Sequence, residues 1–126
     1  MTALASLMGE AGELRIDPRN RDNRIWVNGA MVHRDQAMVP VYDSGFMLGD
    51  GVWEGIRLHR GAFLFLEDHL RRLREGAATL QIEIPWSDAE LTEALRTVVR
   101  TNKMEHNVHL RMMMTRGTRI ACDQDP

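Results

Sequence analysis

Two segments that alternate like β-strands each present a histidine and an arginine on one face. In the first, Trp53, Arg57 and His59 project to one side of the strand, and Ile56 and Leu58 to the other. In the second, His109 and Arg111 lie opposite a face with Val108, Leu110 and Met112. Guanidinium and imidazole groups are hydrogen-bond donors for carboxylates and phosphates. Side by side, two such strands would line an anion-binding cleft, whereas apart they would be ordinary amphipathic strands with one face in water. Periodicity alone does not show that the two segments meet.

A run of charged residues on a predicted helix offers another anion-binding group. Arg71, Arg72, Arg74 and Glu75 follow His69. Such a run usually forms a solvated helix face. The functional alternative is that one arginine turns inward to a phosphate, which a guanidinium can grip with two hydrogen bonds.

Other catalytic and metal-binding patterns are missing from the sequence. The five histidines have no His-x-x-x-His spacing, so no metal site is predicted. There is no Walker loop, no dinucleotide fingerprint and no nucleophile elbow. The glycines between Gly45 and Gly51 are by themselves weak evidence for phosphate binding.

Hydrophobic periodicity predicts an α+β fold, with a mostly antiparallel sheet packed against two helices. Each helix has an apolar stripe, and the second begins at a capping box formed by Ser87 and Glu90. The first stripe is predicted to contain Leu70, Leu73, Ala77 and Leu80. In chain order, the predicted elements are a hairpin of strands 24–27 and 31–33 around Asn28-Gly29, an extended segment 37–41, strands 52–59 and 62–66, a helix from 67, a helix from 88 to about 102, and a strand 107–115.

Composition is that of one globular domain in a reducing compartment. The chain has 126 residues, 44% hydrophobic and 27% charged, and a net charge of -2. It lacks the basic excess of a nucleic-acid binder, and no apolar run approaches the length of a membrane span. The single cysteine, Cys122, cannot form an internal disulfide. We therefore predict a cytoplasmic protein with neither a nucleic-acid nor a membrane partner.

Five motifs in sequence resemble the small N-terminal domain of fold-type IV (class IV) pyridoxal-phosphate aminotransferases, a family that includes branched-chain and D-amino-acid aminotransferases. The resemblance implies an N-terminal extension over 1–22, the small domain over 23–118, and an interdomain loop over 119–126 that stops before the domain with the catalytic lysine. The motifs are Ile25-Trp26-Val27-Asn28-Gly29, Gly49-Asp50-Gly51-Val52-Trp53-Glu54-Gly55-Ile56-Arg57, Phe65-Leu66-Glu67-Asp68-His69-Leu70-Arg71-Arg72-Leu73, His109-Leu110-Arg111 and Thr115-Arg116-Gly117.

The resemblance also assigns roles to particular residues. Arg72, in the His-x-x-Arg-Leu motif, would bind the phosphate of pyridoxal 5'-phosphate. Trp53 would line the substrate pocket, and Arg57, His109 and Arg111 would orient substrate carboxylates. The family implies a homodimer that transfers an amino group between an amino acid, of the branched-chain or D-amino-acid class, and a 2-keto acid.

Departures from the family pattern leave the substrate and its stereochemistry open. D-amino-acid aminotransferases have an Arg-x-His carboxylate trap, and the corresponding positions here are Ala121 and Asp123. Arg116 or Arg119 could replace that trap. Trp53 also stands where the family usually has phenylalanine or tyrosine.

The sole lysine, Lys103, has none of the family's catalytic-lysine context. We therefore assign no catalytic residue to this chain and expect it alone to be an inactive fragment. Two alternatives are an aminodeoxychorismate lyase-like enzyme and a non-catalytic dimerisation or binding module.

Overall fold

A computed structural model describes residues 17–119 of the chain. The predicted extension 1–22 lies outside the described residues up to position 16, and the predicted loop 119–126 lies outside them from position 120. Short 3-10 turns occur at Pro18–Asn20 and Arg34–Gln36. The helices and strands, in chain order, are β1 (Arg24–Val27), β2 (Ala30–His33), α1 (Ser44–Leu48), β3 (Gly51–His59), β4 (Ala62–Phe63), α2 (Leu66–Thr79), α3 (Asp88–Thr101) and β5 (Val108–Thr115).

The central sheet is antiparallel, with the strand order β4-β3-β5. β3 and β5 pair along their whole shared length, from Gly51 opposite Thr115 to Leu58 opposite Val108. In an antiparallel pair, residues directly opposite each other point to the same face. The two alternating patterns in the sequence therefore combine into one apolar face and one polar face.

The hairpin β1–β2 forms a separate two-stranded sheet. Its turn residues Asn28 and Gly29 have φ angles of 48° and 94°. Positive φ at both positions is what a two-residue type I′ turn requires, and Asn-Gly adopts it readily. The backbone N–H of Arg24 donates to Oδ1 of Asn102, and Nδ2 of Asn102 donates to the Arg24 carbonyl. This double contact ties the hairpin to the end of α3.

Helices α2 and α3 cover the apolar face of the central sheet, as the sequence predicts. The capping box at the start of α3 is present, since Ser87 and Glu90 each bond the other's backbone N–H. Leucines from both helices pack against β3 and β5. The two clusters of buried residues are Ile56, Leu58, Leu95 and Leu110, and Leu70, Leu73 and Leu91. The predicted α+β class is confirmed.

Two connecting segments differ from the sequence prediction, and a third contains a helix that was not predicted. The strand predicted over 62–66 ends at Phe63, and Phe65 has a left-handed φ of 53° where the chain turns into α2. Segment 37–41 belongs to neither sheet. The glycine-rich stretch 45–51 contains most of the short helix α1. The hydrophobic pattern does not predict the structure of these segments, because local backbone geometry determines it.

Within residues 17–119, no helix combines the length and apolar character needed to cross a membrane. The same range contains no group of three His, Cys, Asp or Glu side chains placed to hold a metal ion.

The buried face of α2 is one residue shorter than predicted. Leu70, Leu73 and Ala77 are buried, but Leu80 is 40% exposed. α2 ends at Thr79, so the helical period that would place Leu80 on the core no longer holds there.

Two leucine truncations on this segment should therefore differ sharply in cost. Leu73 is 1% exposed, so Leu73→Ala should lower the free energy of unfolding by about 2–5 kcal/mol through lost burial and a cavity. Leu80→Ala should lower it by less than about 1 kcal/mol. Urea unfolding of both variants measures the difference. Equal losses would show that Leu80 is part of the core.

Candidate functional site

The four residues predicted to line a substrate pocket lie together on one face of the central sheet. Trp53 and Arg57 are on β3, and His109 and Arg111 are on β5. The register places Arg57 directly opposite His109, and Arg111 opposite Gly55. This face points away from α2 and α3, because the apolar residues of the same strands face the helices. Pairing of β3 with β5 thus brings these four residues onto one joint face, which periodicity alone could not establish.

Arg111 and Trp53 make a direct contact on this face. The Arg111 guanidinium carbon lies 4.1 Å from the centroid of the Trp53 ring. A cation at this distance is attracted by the negative face of the aromatic ring. Trp53 is itself 56% exposed. An aromatic ring and a guanidinium cation are therefore held side by side at the surface.

Gly55 allows His109 to lie across β3, a role that sequence reasoning missed. A Cβ atom built at Gly55 would be 2.8 Å from Nε2 of His109 and 3.8 Å from the Trp53 ring. The first distance is too short for any side chain to fit unless the imidazole moves. The available signal was a glycine inside a strand, which often marks a close approach.

Arg72 is bound by a buried carboxylate on the opposite face of β3. Its Nε donates to Oε1 of Glu54 at 2.7 Å, and its Nη2 donates to Oε2 at 2.6 Å. Nδ1 of His69 lies 2.7 Å from the same Oε2. The Glu54 side chain is 7% exposed, whereas that of Arg72 is 66% exposed. A cation and an imidazole from α2 thus share one carboxylate of the central strand.

Glu54 is held in its charged form by these neighbours. The hydrogen bonds from Arg72 lower the pKa of the Glu54 carboxyl from 4.5 to about 2, and His69 acts in the same direction. Burial opposes this effect but does not outweigh it. Sequence reasoning did not single out Glu54. The signal was a lone carboxylate at a strand position whose neighbours on that face, Ile56 and Leu58, are apolar.

The structure does not place Arg72 among the four residues of the joint face. Glu54 and Trp53 are consecutive on β3 and point to opposite sides. Arg72 is on the side of Glu54, and Arg111 is on the side of Trp53. The two predicted functions, phosphate binding and carboxylate binding, therefore lie on either side of one strand.

The segment before β3 is fastened to the end of β5. Oδ1 of Asp43 accepts hydrogen bonds from the backbone N–H groups of Gly45 and Phe46, and Oδ2 accepts one from the Thr115 hydroxyl at 2.8 Å. The same buried carboxylate thus accepts hydrogen bonds from both segments. These hydrogen bonds position the loop beside the end of β5.

Arg116 has a structural role at the same end of the sheet. Its guanidinium donates to both carboxylate oxygens of Asp50, at 2.5 and 3.1 Å, and to the carbonyls of Leu80 and Gln81. This pairing lowers the pKa of Asp50. Arg116 is thus engaged within the fold, which weakens the case for it as a substitute carboxylate trap.

Comparison with known proteins identifies the family. The model of the family described as Amino-transferase class IV matches residues 51–125. This range is more than half of the chain and contains all of β3. The chain belongs to the class IV aminotransferase family.

The class IV relatives of this chain are named for different substrates. Branched-chain-amino-acid aminotransferase-like protein 2 of Arabidopsis thaliana is 37% identical over 109 residues, 86% of this chain and 20% of that protein. D-alanine aminotransferase of Listeria monocytogenes is 39% identical over 95 residues, 75% of this chain and 32% of that protein. The chain thus spans between a fifth and a third of these relatives.

A solved structure agrees with the observed class IV fold. The branched-chain amino acid aminotransferase of Thermoproteus uzoniensis, solved with norvaline, superposes with a TM-score of 0.72 at 27% identity, over 82% of this chain and 36% of that one. A second branched-chain enzyme, complexed with N-(5'-phosphopyridoxyl)-L-glutamate, superposes with a TM-score of 0.67 at 33% identity, over 73% of this chain and 32% of that one. The expected resemblance to fold-type IV enzymes is confirmed.

The low pKa of Glu54 predicts a pH dependence of stability. A carboxylate whose pKa falls from 4.5 to about 2 on folding stabilises the fold fully above pH 4.5. This contribution is lost as the pH falls toward 2. We expect it to amount to about 1–3 kcal/mol, since the partner guanidinium is exposed to water and screened.

Glu54→Gln should remove this contribution, whereas Glu67→Gln, which alters a carboxylate in the first turn of α2, should not. Urea unfolding between pH 7 and pH 2.5 measures it. An acid-induced loss of stability equal in Glu54→Gln and wild type would contradict the assignment.

Proposed function

We propose that the protein containing this chain is a pyridoxal-phosphate-dependent transaminase that acts on amino acids and 2-keto acids. The observation that carries the proposal is the joint face of β3 and β5, where Arg57, His109 and Arg111 lie on the same side of the sheet as the exposed ring of Trp53. Cationic donors beside an apolar wall suit a small carboxylate with a hydrocarbon side chain. Membership of the class IV family supports the same reaction.

The cofactor phosphate would be held by Arg72. The donor set fits a phosphate monoester, because the guanidinium is 66% exposed and has N–H groups beyond those that Glu54 accepts. One related branched-chain enzyme was solved with a phosphopyridoxyl ligand. When bound, pyridoxal phosphate supplies the electron sink that amino-group transfer requires.

The residues of the joint face would select and orient the substrate. Arg111 would donate hydrogen bonds to the carboxylate while its stacking on Trp53 keeps it in place. His109 and Arg57, which are paired across the two strands, would supply further donors. Both branched-chain and D-alanine aminotransferases are among the relatives, and we propose a substrate from one of these two classes.

The covalent chemistry would be carried out by residues outside this sequence. The only lysine, Lys103, is exposed just after the end of α3. It lies on a cavity with Phe63, Leu66 and Arg100, away from the joint face. We therefore propose that this chain by itself binds and orients but does not turn over.

We also propose that the complete protein is a cytoplasmic homodimer. The connection that leads into β3 exposes several large apolar side chains, which a second copy would cover. These are Met38, Val39, Val41 and Phe46.

Replacing Arg72 should weaken cofactor binding selectively. In the full-length protein, Arg72→Ala should raise the Kd for pyridoxal phosphate about 10- to 100-fold, because a charge-assisted contact to phosphate is lost. Arg71→Ala is the matched control, since Arg71 is the exposed neighbour on α2 and pairs with Asp68 and Glu75. Titration followed by absorbance measures both. Unchanged affinity in Arg72→Ala would refute the phosphate assignment.

Replacing Arg111 should instead weaken substrate binding. Arg111→Gln should raise KM for the amino acid and Ki for an aliphatic carboxylic acid about 10- to 100-fold, because the carboxylate loses a charged donor. The affinity for pyridoxal phosphate should stay unchanged. Arg60→Gln, in the exposed turn between β3 and β4, is the control.

Two outcomes of these assays would redirect the proposal. Unchanged KM and Ki in Arg111→Gln would show that the joint face does not bind the carboxylate. Release of pyruvate from aminodeoxychorismate by the wild-type protein, without an amino acceptor, would indicate the lyase-like reaction.

A further inference from the structure

The contact between Glu54 and Arg72 occupies one particular edge of the guanidinium. Nε lies 2.7 Å from Oε1 and Nη2 lies 2.6 Å from Oε2, so the carboxylate takes the Nε–H and one Nη2–H. A guanidinium has five N–H donors. Three of them remain, namely both on Nη1 and the second on Nη2, which also lies 3.4 Å from Nδ1 of His69. Among the contacts of the described residues, Nη1 makes no hydrogen bond.

From this geometry we infer that Glu54, supported by His69, is a positioning residue that holds Arg72 so that its Nη1–Nη2 edge is presented to the cofactor phosphate. The inference rests on the proposed function. It adds two residues to the proposed site that touch neither substrate nor cofactor. It also assigns the two edges of one guanidinium to different partners, one inside the fold and one outside.

An exposed arginine needs such support to bind tightly. A free arginine side chain loses rotamer freedom when it binds. Arg72 projects from a helix and is 66% exposed, but Glu54 is 7% exposed on the central strand. A bidentate contact to a rigid, buried group restrains the guanidinium before the ligand arrives. The ordering cost is then met in folding and not in binding.

His69 completes the arrangement by fixing the carboxylate. It lies three residues before Arg72 on α2, so the two side chains share one helix face. Its Nδ1 is 2.7 Å from Oε2, the same oxygen that Nη2 contacts. With a donor at Nδ1, Oε2 is shared by two groups and Oε1 is left for Nε. His69 therefore helps to hold the carboxylate that contacts the guanidinium.

Electrostatics provides the competing interpretation. A carboxylate next to a phosphate site repels the phosphate, and the pKa of about 2 keeps Glu54 charged at neutral pH. If repulsion outweighed positioning, removal of the charge would strengthen phosphate binding. If positioning dominates, the same change weakens it. The two interpretations predict effects of opposite sign for one substitution.

A double-mutant cycle on the full-length protein tests the inference. Wild type, Glu54→Gln, Arg72→Ala and the double variant are titrated with pyridoxal phosphate and with pyridoxal, which lacks the phosphate. The Gln amide has a single acceptor oxygen and cannot reproduce the bidentate contact. Glu54→Gln should raise the Kd for pyridoxal phosphate about tenfold, which corresponds to the loss of a charged contact. Its Kd for pyridoxal should not change.

The cycle also distinguishes failure of the positioning role from failure of the phosphate assignment. In the Arg72→Ala background, Glu54→Gln should have no further effect, because Glu54 acts through Arg72. Tighter binding of pyridoxal phosphate by Glu54→Gln, or an equal loss for pyridoxal, would overturn the positioning role. If Arg72→Ala itself leaves the Kd for pyridoxal phosphate unchanged, the phosphate assignment in the proposed function fails instead.

A second variant covers the case in which Glu54→Gln does not fold. His69→Ala removes a group with an 18% exposed side chain and leaves both Arg72–Glu54 contacts possible. It should weaken binding of pyridoxal phosphate about two- to fivefold, less than Glu54→Gln, because Arg72 keeps its two contacts to Glu54 and only the support of the carboxylate is lost; pyridoxal binding should not change. An unchanged ratio of the two dissociation constants would contradict the inference.

Discussion

Successive side chains of β3 point to opposite faces of the sheet, and the arrangement of the rest of the chain depends on this alternation. Glu54, Ile56 and Leu58 face the helices, while Trp53 and Arg57 face away from them. The helices must therefore supply both the apolar cover for the core and a counter-ion for one carboxylate. α2 does both, with Leu70 and Leu73 on one part of its surface and with His69 and Arg72 beside them.

The buried carboxylate constrains the helix side of the sheet. A charged group among apolar neighbours is costly unless it is paired and hydrogen-bonded. Glu54 meets that requirement with three donors from two residues, and its low pKa reflects their combined effect. The cation in turn gains a fixed position at the surface. A structural requirement of the core thus orients a group that can bind an anion.

The opposite face of β3 is organised by close contacts between the two long strands. Stacking of Arg111 on Trp53 and the passage of His109 over Gly55 bring a guanidinium, an imidazole and an indole ring onto one face. Neither α2 nor α3 covers this face, and the class IV relatives extend well beyond the part that this chain matches. An exposed aromatic ring among cations is a typical feature of a ligand-facing surface.

The sequence by itself determined the type of most elements and the facing of their residues. The alternation of β3 and β5, the Asn28-Gly29 turn and the capping box at Ser87 are local patterns, and all are present in the structure. It also predicted that Trp53 and Arg57 face the same way on one strand, and His109 and Arg111 on the other, because side-chain facing in a strand depends only on parity. Boundaries such as those at Phe63 and Leu80 were less accurate, since backbone turns leave little trace in hydrophobicity.

Only the tertiary structure decided which of these residues meet. Glu54 and Arg72 are 18 positions apart, and Asp43 and Thr115 are 72 apart. No local period relates such residues, because their contact depends on how the helices pack on the sheet and how the strands pair. The same packing put Arg72 and Arg111 on opposite sides of β3. The direction of a side chain follows from the local geometry of its strand, whereas the residues that it contacts depend on the whole fold.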